Sequence, residues 1–542
     1  MKWWRAAGGA AAAAAAVIWA CGGSGSGDIA PERDGGPPLT DGGMPDAGPP
    51  DAGPPDAGPP DAGPPDAGPP DAGPPDAGPP DAGPPDGGFV PPAAIAFPSV
   101  PGWSFLGPQH GGPHDAYQVS ADQGGNIWVA GGEDGLFLLR AGATKFERFT
   151  IADGLHPYGY LTGDQAKLRG APAGAPADLH PSLTATPVIA VQGGPPGVVF
   201  VGYQGKPGCE DNWDSAGRDP AIYKSGDADR VTLKPDGTLS VVHYDIFSGK
   251  NVVAAEPEGR EKLCTVFRIV WNQATNDLWF GANHGFAWGD PNYAGNPVCD
   301  GQWACSGNIE HSHPAVNGAG NVYLTGDYRG VALDPATGDV WFGGLNRTTR
   351  YHWNAFSGSK VDRFFGAQDL TEGFNDVLKP PRCPSAAGSP CYIDNRMDIW
   401  PDALGEGFFP GPGDRTDDVV FAIAGMPDGS AYVGSGYLGL RHIDGFGTLL
   451  SDETSRLGST SVGALARDPS DGSVWVGNRY AGGIDRLRGG ATDHYAFNLF
   501  GNLANSGIED VQMVGSGSSR KVLVAFRRNG NTAGFVAIYS GN

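Results

Sequence analysis

The sequence predicts an all-β fold, a β-propeller of seven blades with four antiparallel strands each and long loop insertions. The first observation behind this prediction is a short motif that returns seven times: a turn with Asp or Gly, a strand centred on a large apolar residue, then a small residue. The second is the turn chemistry, since Asp-Gly and Gly-Asn supply the positive φ of a tight hairpin. The third is composition, because aromatic residues flanked by β-branched residues suit buried strands. Short strands with one such motif per unit are typical of propellers.

The seven occurrences set the number of blades. Their central residues are separated by 72, 79, 62, 91, 43 and 48 residues, whereas a bare blade needs about 40–50. The four longer intervals therefore predict inserts near 150–185, 203–265, 289–322 and 350–415, which are rich in Gly, Pro, Asp and Asn and are expected to be long loops. The central residues are Trp128, Phe200, Trp279, Trp341, Tyr432, Trp475 and Leu523.

The ends of the chain are predicted to close the ring together. The last unit supplies strands near 511–514, 522–526 and 535–539, which is one fewer than a blade needs. The apolar segment 93–106 is the predicted donor of the missing outer strand. Closure of this kind removes exposed sheet edges.

Three regions divide the chain. Residues 1–21 are predicted to be a signal peptide, with a positive start and a 14-residue apolar run that is too short to span a bilayer. Residues 22–88 are predicted to be a disordered stalk, in which Asp-Ala-Gly-Pro-Pro repeats eight times from Asp46 to Pro85. Residues 89–542 are predicted to form the propeller.

The run Ile18-Trp19-Ala20-Cys21 resembles the lipobox of bacterial lipoproteins. That resemblance implies export, lipidation of Cys21 and attachment to a membrane through the lipid. Since Gly22, and not Asp, follows the cysteine, it implies an outer-membrane lipoprotein that faces the surface or the periplasm. The alternative is an ordinary signal peptide that is cleaved near Ala20.

The propeller units resemble the repeats of two-component-regulator sensors, with their Asp-x-x-Gly-x-Leu-Trp-x-Gly-Thr core. The stretch 146–155, which ends in Asp-Gly-Leu, resembles a connection of that family. The Thr after Gly is missing throughout, and the chain shows neither a membrane span nor a kinase or regulator module. The resemblance therefore implies the fold and no signalling output.

The net charge of the chain excludes one class of partner. The chain carries a net charge of −24, which argues against nucleic acid as a partner because nucleic acid needs a basic surface on the protein.

Six cysteines follow Cys21, an even number that predicts disulfides in an exported chain. Fifteen pairings are open. The short loops favour Cys299–Cys305 and Cys383–Cys391, which leaves Cys209–Cys264.

No motif identifies an enzyme. The sequence has no Gly-x-Ser-x-Gly, HExxH, P-loop or dinucleotide fingerprint. His311 and His313 could place two imidazoles on one face of a strand, but no third ligand lies near in sequence, and no metal site is predicted. The turn 468–472 is a weak calcium candidate that serves equally well as a plain hairpin turn. No other cofactor is expected.

A ligand site is predicted where the second strands of the blades end. The loop after a second strand and the crossover to the next blade emerge at the same end of the channel, so the residues there should meet. Arginines match carboxylates and sulfates bidentately, and amides and tyrosine suit sugar hydroxyls. The alternative is that the arginines pair with Asp153, Asp327, Asp414 and Asp417 and only stiffen this face. The predicted ligand-binding residues are Asn283, His284, Arg329, Asn346, Arg347, Tyr437, Asn478, Arg479 and Arg527.

Three functions stay open at this point. The first is an envelope-anchored binding or scaffold module that recognises an acidic glycan or another carboxylate-bearing polymer. The second is a propeller-type enzyme such as a polysaccharide lyase. The third is an adhesion or assembly protein that contacts another envelope protein.

Overall fold

The computed structural model describes residues 89–159, 185–207, 209, 225–244, 264–283, 285–294, 308–310, 327–344, 347–351, 392–394, 419–445, 447–515 and 517–541. The signal peptide, Cys21 and the stalk lie outside the described residues.

Seven sheets of four antiparallel strands form the fold, which confirms the predicted class and blade number. Blades 1 to 3 are β2 Gln118–Ala121, β3 Ile127–Ala130, β4 Leu136–Leu139, β5 Glu147–Phe149; β6 Val188–Gly193, β7 Val198–Tyr203, β8 Ala228–Leu233, β9 Leu239–Tyr244; and β10 Val266–Asn272, β11 Asp277–Ala282, β12 Gly285–Gly289, β13 Asn308–Glu310. Blades 4 to 6 are β14 Gly330–Leu333, β15 Val340–Gly344, β16 Arg347–Tyr351, β17 Tyr392–Asp394; β18 Val420–Gly425, β19 Ala431–Ser435, β20 Gly439–Ile443, β21 Leu449–Asp452; and β22 Val462–Arg467, β23 Val474–Asn478, β24 Ile484–Arg488, β25 Ala491–Tyr495. Blade 7 joins β26 Ile508–Val514, β27 Lys521–Phe526 and β28 Phe535–Tyr539 to β1 Trp103–Leu106.

Helical structure within the described residues is confined to single turns. They are the 3-10 turns Pro108–His110, Ile151–Asp153, Thr454–Arg456, Gly501–Asn505 and Gly517–Ser519 and the short α-helix Phe497–Phe500. None of the helices in this part of the chain has the length and apolar character needed to cross a bilayer.

Closure of the ring follows the prediction. Strand β1, from within the segment 93–106, pairs antiparallel with β28 and forms the outer edge of blade 7. Trp103 packs there against aromatic rings of two blades, with centroid distances of 5.3 Å to Tyr495 of blade 6 and 5.0 Å to Tyr539 of blade 7. The first strand of each blade contacts the first strand of the next, and β26 returns to β2.

Each of the seven predicted motifs forms the second strand of a blade. The small residue after the central aromatic lies where the next blade packs closest. A Cβ on Gly343 would lie 2.3 Å from a methyl of Val420, and one on Gly434 would lie 2.3 Å from a methyl of Val462. Glycine is therefore needed for the spacing between blades, and a side chain at these positions would force neighbouring sheets apart.

A buried ion pair recurs beside the central tryptophans. In blade 4, Arg350 lies opposite Trp341 on the neighbouring strand, with its guanidinium 5.5 Å from the ring centroid, and pairs with Asp334 at 2.8 Å and Asp339 at 3.3 Å. Blade 6 repeats this arrangement with Arg486 over Trp475. The Asp of the hairpin therefore stabilises a buried arginine as well as the turn.

The predicted long loops need one correction. Interval 203–265 contains β8 and β9, interval 289–322 contains β13, and interval 350–415 contains β17. The reason is topological, because the third and fourth strands of a blade must lie between consecutive second strands. The inserts are thus divided by strands and are not continuous loops.

Candidate functional site

The predicted end of the channel brings arginines and aromatic rings together. Second strands end where first strands begin, because the strands of each blade alternate in direction. We call this surface the channel mouth, defined by Tyr117, Phe267, Arg329, Phe421, Tyr437, Arg479, Tyr480, Glu509 and Arg527.

Glu509 is the point on which three predicted arginines converge. Its carboxylate accepts a hydrogen bond from Arg527 at 2.6 Å and lies 3.4 Å from Nε of Arg479. Burial alone would favour the neutral acid, but Arg527, Arg479 and Arg329 outweigh it and lower the pKa of Glu509 to about 2. The carboxylate is therefore ionised at neutral pH and shared among three cations.

Arg527 is held by the protein itself. Its Nε and Nη2 donate to the two oxygens of Asp115 at 2.8 Å each, in addition to the bond to Glu509. The guanidinium lies 3.5 Å from the ring centroid of Tyr117. Such a bidentate, stacked arginine stiffens the face, which is the alternative foreseen from the sequence, although Asp115 and Glu509 are the partners.

Arg329 and Arg479 are held in a different way, mainly by aromatic faces. The guanidinium of Arg479 lies 3.7 Å from the centroid of Phe421, and that of Arg329 lies 4.0 Å from Phe267 and 5.4 Å from Phe421. Within the described part of the chain, each has one carboxylate contact, at 3.4 Å. Their side chains are 30% and 19% exposed. Both guanidiniums thus lie at the surface of the mouth, and none of the described carboxylates binds either of them in a bidentate way.

Two tyrosines extend this surface. Arg479 donates to the Tyr480 hydroxyl at 2.6 Å, and Tyr480 donates in turn to Tyr437 at 3.1 Å. Burial and the bond to Tyr437 raise the pKa of Tyr480 to about 12, so the phenol stays neutral. Half of Tyr480 is exposed. A ligand at the mouth would therefore meet a stacked cation and an exposed aromatic ring side by side.

Below the mouth lies a cavity of about 260 Å³ between the first strands of six blades. Arg268 enters it and is paired with Asp510 of the last blade. Towards the other end, Arg467 lines the same cavity, and its Nε has no hydrogen-bond partner among the described residues. The channel is thus lined by two further arginines, of which Arg268 is paired with a carboxylate.

Two of the other predicted residues, Asn283 and Asn478, are engaged within the protein. Asn283 accepts hydrogen bonds from the backbone of Cys264 and Thr265, and Asn478 is fully buried and donates to Gly483 and Asp485. These amides brace loops, because a buried amide must satisfy its own hydrogen bonds. His284, Asn346 and the side chain of Arg347 lie outside the described residues.

Of the carboxylates predicted as arginine partners, Asp327 and Asp153 lie within the described residues, and only Asp327 contacts a predicted arginine there. Asp327 contacts Arg329 at 3.4 Å, whereas Asp153 accepts hydrogen bonds from the backbone and hydroxyl of Thr150. Asp414 and Asp417 lie outside the described residues.

The disulfide Cys209–Cys264 is present as predicted, with Cα atoms 6.2 Å apart. Outside the described residues lie Cys299, Cys305, Cys383 and Cys391, and with them His311 and His313.

In the turn 468–472, Asp468 pairs with Arg520 at 2.5 Å and Asp471 with Arg486 at 2.7 Å. These carboxylates hold arginines in the structure.

Sequence reasoning missed the mouth residues that precede the second strands. Phe267, Phe421 and Glu509 are each the second residue of a first strand, at the channel entrance. These positions could have been predicted by locating, before each second-strand motif, the start of the first strand of the same blade.

No family model matches the chain, and no curated protein matches it. Among solved structures, the chain is similar to PorZ, a surface component of the type IX secretion system of Porphyromonas gingivalis, at 13% identity and a TM-score of 0.36 over 78% of this chain. The chain spans about half of that protein, 51%. It is also similar to a chain of the mitotic checkpoint complex (10% identity, TM-score 0.41, 84% of this chain and 96% of that one) and to YCF48 bound to a D1 peptide (10%, 0.41, 82% and 100%). At such values the function must be argued from the site itself.

Proposed function

We propose that this protein is an envelope-anchored binding propeller whose channel mouth recognises an acidic glycan or another carboxylate-bearing polymer. The observation that carries the proposal is the pair Arg329 and Arg479. The Arg479 guanidinium lies 3.7 Å from the ring centroid of Phe421 and that of Arg329 lies 4.0 Å from the ring centroid of Phe267, and neither is taken up by a bidentate carboxylate within the described residues.

The chemistry of this pair suits a carboxylate or sulfate. A guanidinium presents a planar fork of donors that matches two oxygens of an anion, and stacking on an aromatic face keeps the fork in one orientation. Tyr480 adds an exposed ring and a neutral hydroxyl beside it, which suits a sugar ring and its hydroxyl groups. Because the protein as a whole carries a charge of −24, an acidic ligand would be attracted only where guanidiniums are concentrated, as Arg329 and Arg479 are at the mouth.

The amino-terminal residues support a place at the cell envelope. The lipobox-like run that ends at Cys21 would anchor the chain, and the 40 residues of Asp-Ala-Gly-Pro-Pro repeats would act as a spacer. At about 3.1 Å per residue an extended polyproline segment of this length reaches on the order of 120 Å. Such a stalk would present the propeller to polymers away from the membrane.

The test is retention on an immobilised acidic polysaccharide. Arg329→Ala combined with Arg479→Ala should abolish retention, and Arg479→Lys should weaken it, since lysine keeps the charge but loses the fork. Arg488→Ala is the matched control, because Arg488 is an exposed arginine of β24 that pairs with Asp493 outside the mouth. Retention of the double variant at the wild-type level, or equal loss in the Arg488→Ala control, would refute the proposal.

A further inference from the structure

Blade 2 contains a buried cluster of histidines and carboxylates apart from the channel mouth. His243 of β9 lies with its Nδ1 2.6 Å from Asp229 of β8, and both side chains are fully buried. His156, from the crossover that enters this blade, lies with its Nδ1 3.7 Å from Asp229. One donor atom from each of these three residues lies within 4.8 Å of the other two.

Blade 6 holds the same Asp–His pair without the additional groups. Asp485 and His494 are cross-strand partners on β24 and β25, also 2.6 Å apart, at the positions that Asp229 and His243 occupy on β8 and β9. In both blades the aspartate accepts a backbone N–H from the incoming crossover. The pair and this contact therefore belong to the architecture of the repeat and need no ligand.

What sets blade 2 apart is the set of residues around the shared pair. The crossover residue is His156 where blade 6 has Gly458. The last residue of the second strand is Tyr203 where blade 6 has Asn478, and the Tyr203 hydroxyl donates to Asp229 at 2.5 Å.

The residue just before the third strand differs as well. It is Asp227 in blade 2 and Gly483 in blade 6, and both have a positive φ, 64° and 75°. A non-glycine residue in this left-handed region has a strained backbone. The carboxylate of Asp227, whose side chain is fully buried, lies 3.5 Å from Nε2 of His243. Blade 2 thus keeps a strained carboxylate where blade 6 uses glycine.

We propose that His156, Asp229 and His243 form a binding site for a divalent transition metal, with Zn²⁺ as the best match. Two imidazoles and one carboxylate are donors that zinc accepts, in a set of three protein ligands. Asp227 and Tyr203 would orient the ligands without touching the ion. Asp227 would accept a hydrogen bond from Nε2–H of His243, and the Tyr203 hydroxyl would donate to the oxygen of Asp229 that does not bind the ion.

The surroundings fit a preformed site with access for an ion. The Asp229 carboxylate is held in place by the Tyr203 hydroxyl and by the backbone N–H of His156. Asp227 donates its backbone N–H to the carbonyl of Cys264, which the disulfide to Cys209 ties down. The His156 side chain is 24% exposed, which leaves an entrance on the crossover side.

The experiment measures metal binding by the purified, chelator-treated protein. Titration with Zn²⁺ should raise the melting temperature and saturate at one equivalent, and Co²⁺ should give the visible absorption of a low-symmetry nitrogen and oxygen site. His156→Gly restores the residue of blade 6, keeps the backbone contact to Asp229 and should lower the affinity at least 100-fold. Asp227→Gly removes the contact that would orient His243 and should lower the affinity roughly 10–100-fold.

Two further measurements make the test decisive. His494→Ala removes the matching histidine of blade 6 and should leave the metal affinity unchanged. The melting temperature of each variant in excess chelator shows whether it is folded, so that a loss of binding can be assigned to the site. Failure of the wild-type protein to bind one equivalent of Zn²⁺ or Co²⁺, or undiminished binding by folded His156→Gly, would overturn the proposal.

Discussion

Replacing Glu509 by Gln tests the electrostatics of the channel mouth directly. Glutamine keeps the size of the side chain and one acceptor oxygen, but it removes the charge that Arg527, Arg479 and Arg329 share. Three guanidiniums would then face each other with Asp115 as the carboxylate bound to one of them. We expect the variant to be less stable than the wild-type protein at neutral pH.

The magnitude follows from the pKa of Glu509. A change from 4.5 to about 2 corresponds to on the order of 3 kcal/mol in favour of the ionised form in the folded state. This is an upper value, because the side chain is 26% exposed and solvent screens part of the interaction.

The sign of the pH dependence is fixed by the same shift. A carboxyl group whose pKa is lowered on folding stabilises the protein fully above its unfolded-state pKa, and the contribution is lost as the pH falls through the folded-state value. The difference in unfolding free energy between wild type and Glu509→Gln should therefore be full above about pH 5 and shrink steadily towards about pH 2.

Urea unfolding of both proteins across this pH range measures the difference. Glu147→Gln is the control, because Glu147 forms an exposed pair with Arg140 that should contribute about 1 kcal/mol or less. A loss in Glu509→Gln no larger than in this control, or a difference of the same size at acidic and neutral pH, would refute the reasoning.

Three other changes probe the ring itself. Gly434→Ala places a Cβ 2.3 Å from a valine methyl of β22 and should lower the free energy of unfolding by about 1–3 kcal/mol. Gly490→Ala, where a new Cβ would have no atom within 4 Å, should leave the stability unchanged. Equal urea midpoints for the two variants would contradict the packing argument. Deletion of residues 93–106 removes β1, including the rings of Trp103 and Phe105, and leaves the edge of β28 unpaired. Because burying each large aromatic ring contributes about 1.5–3 kcal/mol, the melting temperature should fall sharply. An unchanged melting temperature would refute closure by β1. Arg350→Met leaves Asp334 buried without its partner and should cost about 3–5 kcal/mol of unfolding free energy. Adding Asp334→Asn to the same chain should restore part of this loss. A loss below about 1 kcal/mol would show that this ion pair contributes little.

The fold was predictable because each blade carries its own local pattern. Each second strand combines a turn, a large apolar residue that is aromatic in six of the seven blades, and a small residue within about ten positions, and Gly434 shows why the small residue recurs, since the next blade packs on it. The closing strand was predictable by counting, because the last repeat lacked one strand. The first inference rests on neighbours in sequence, and the second rests on the strand count of the last repeat.

The sites depend on residues that are distant in sequence, and there the prediction was partial. Arg329, Arg479 and Arg527 were found because they follow a crossover or a second-strand motif, but Glu509, which they share, precedes its motif. The cluster in blade 2 was missed because His156 and Asp229 are 73 residues apart. They meet only when the crossover from blade 1 packs on β8.

The same Glu509→Gln variant also separates a binding mouth from a purely structural one. Glu509 occupies the arginines that an acidic ligand would need, so its carboxylate competes with that ligand for Arg479 and Arg329. If the mouth binds acidic polysaccharide, the variant should be retained more strongly than the wild-type protein on the immobilised polymer, although it is less stable. The increase should diminish with added salt, because the gain is electrostatic. Weaker or unchanged retention at low salt, together with the expected loss of stability, would mean that the three arginines serve the ring and not a ligand.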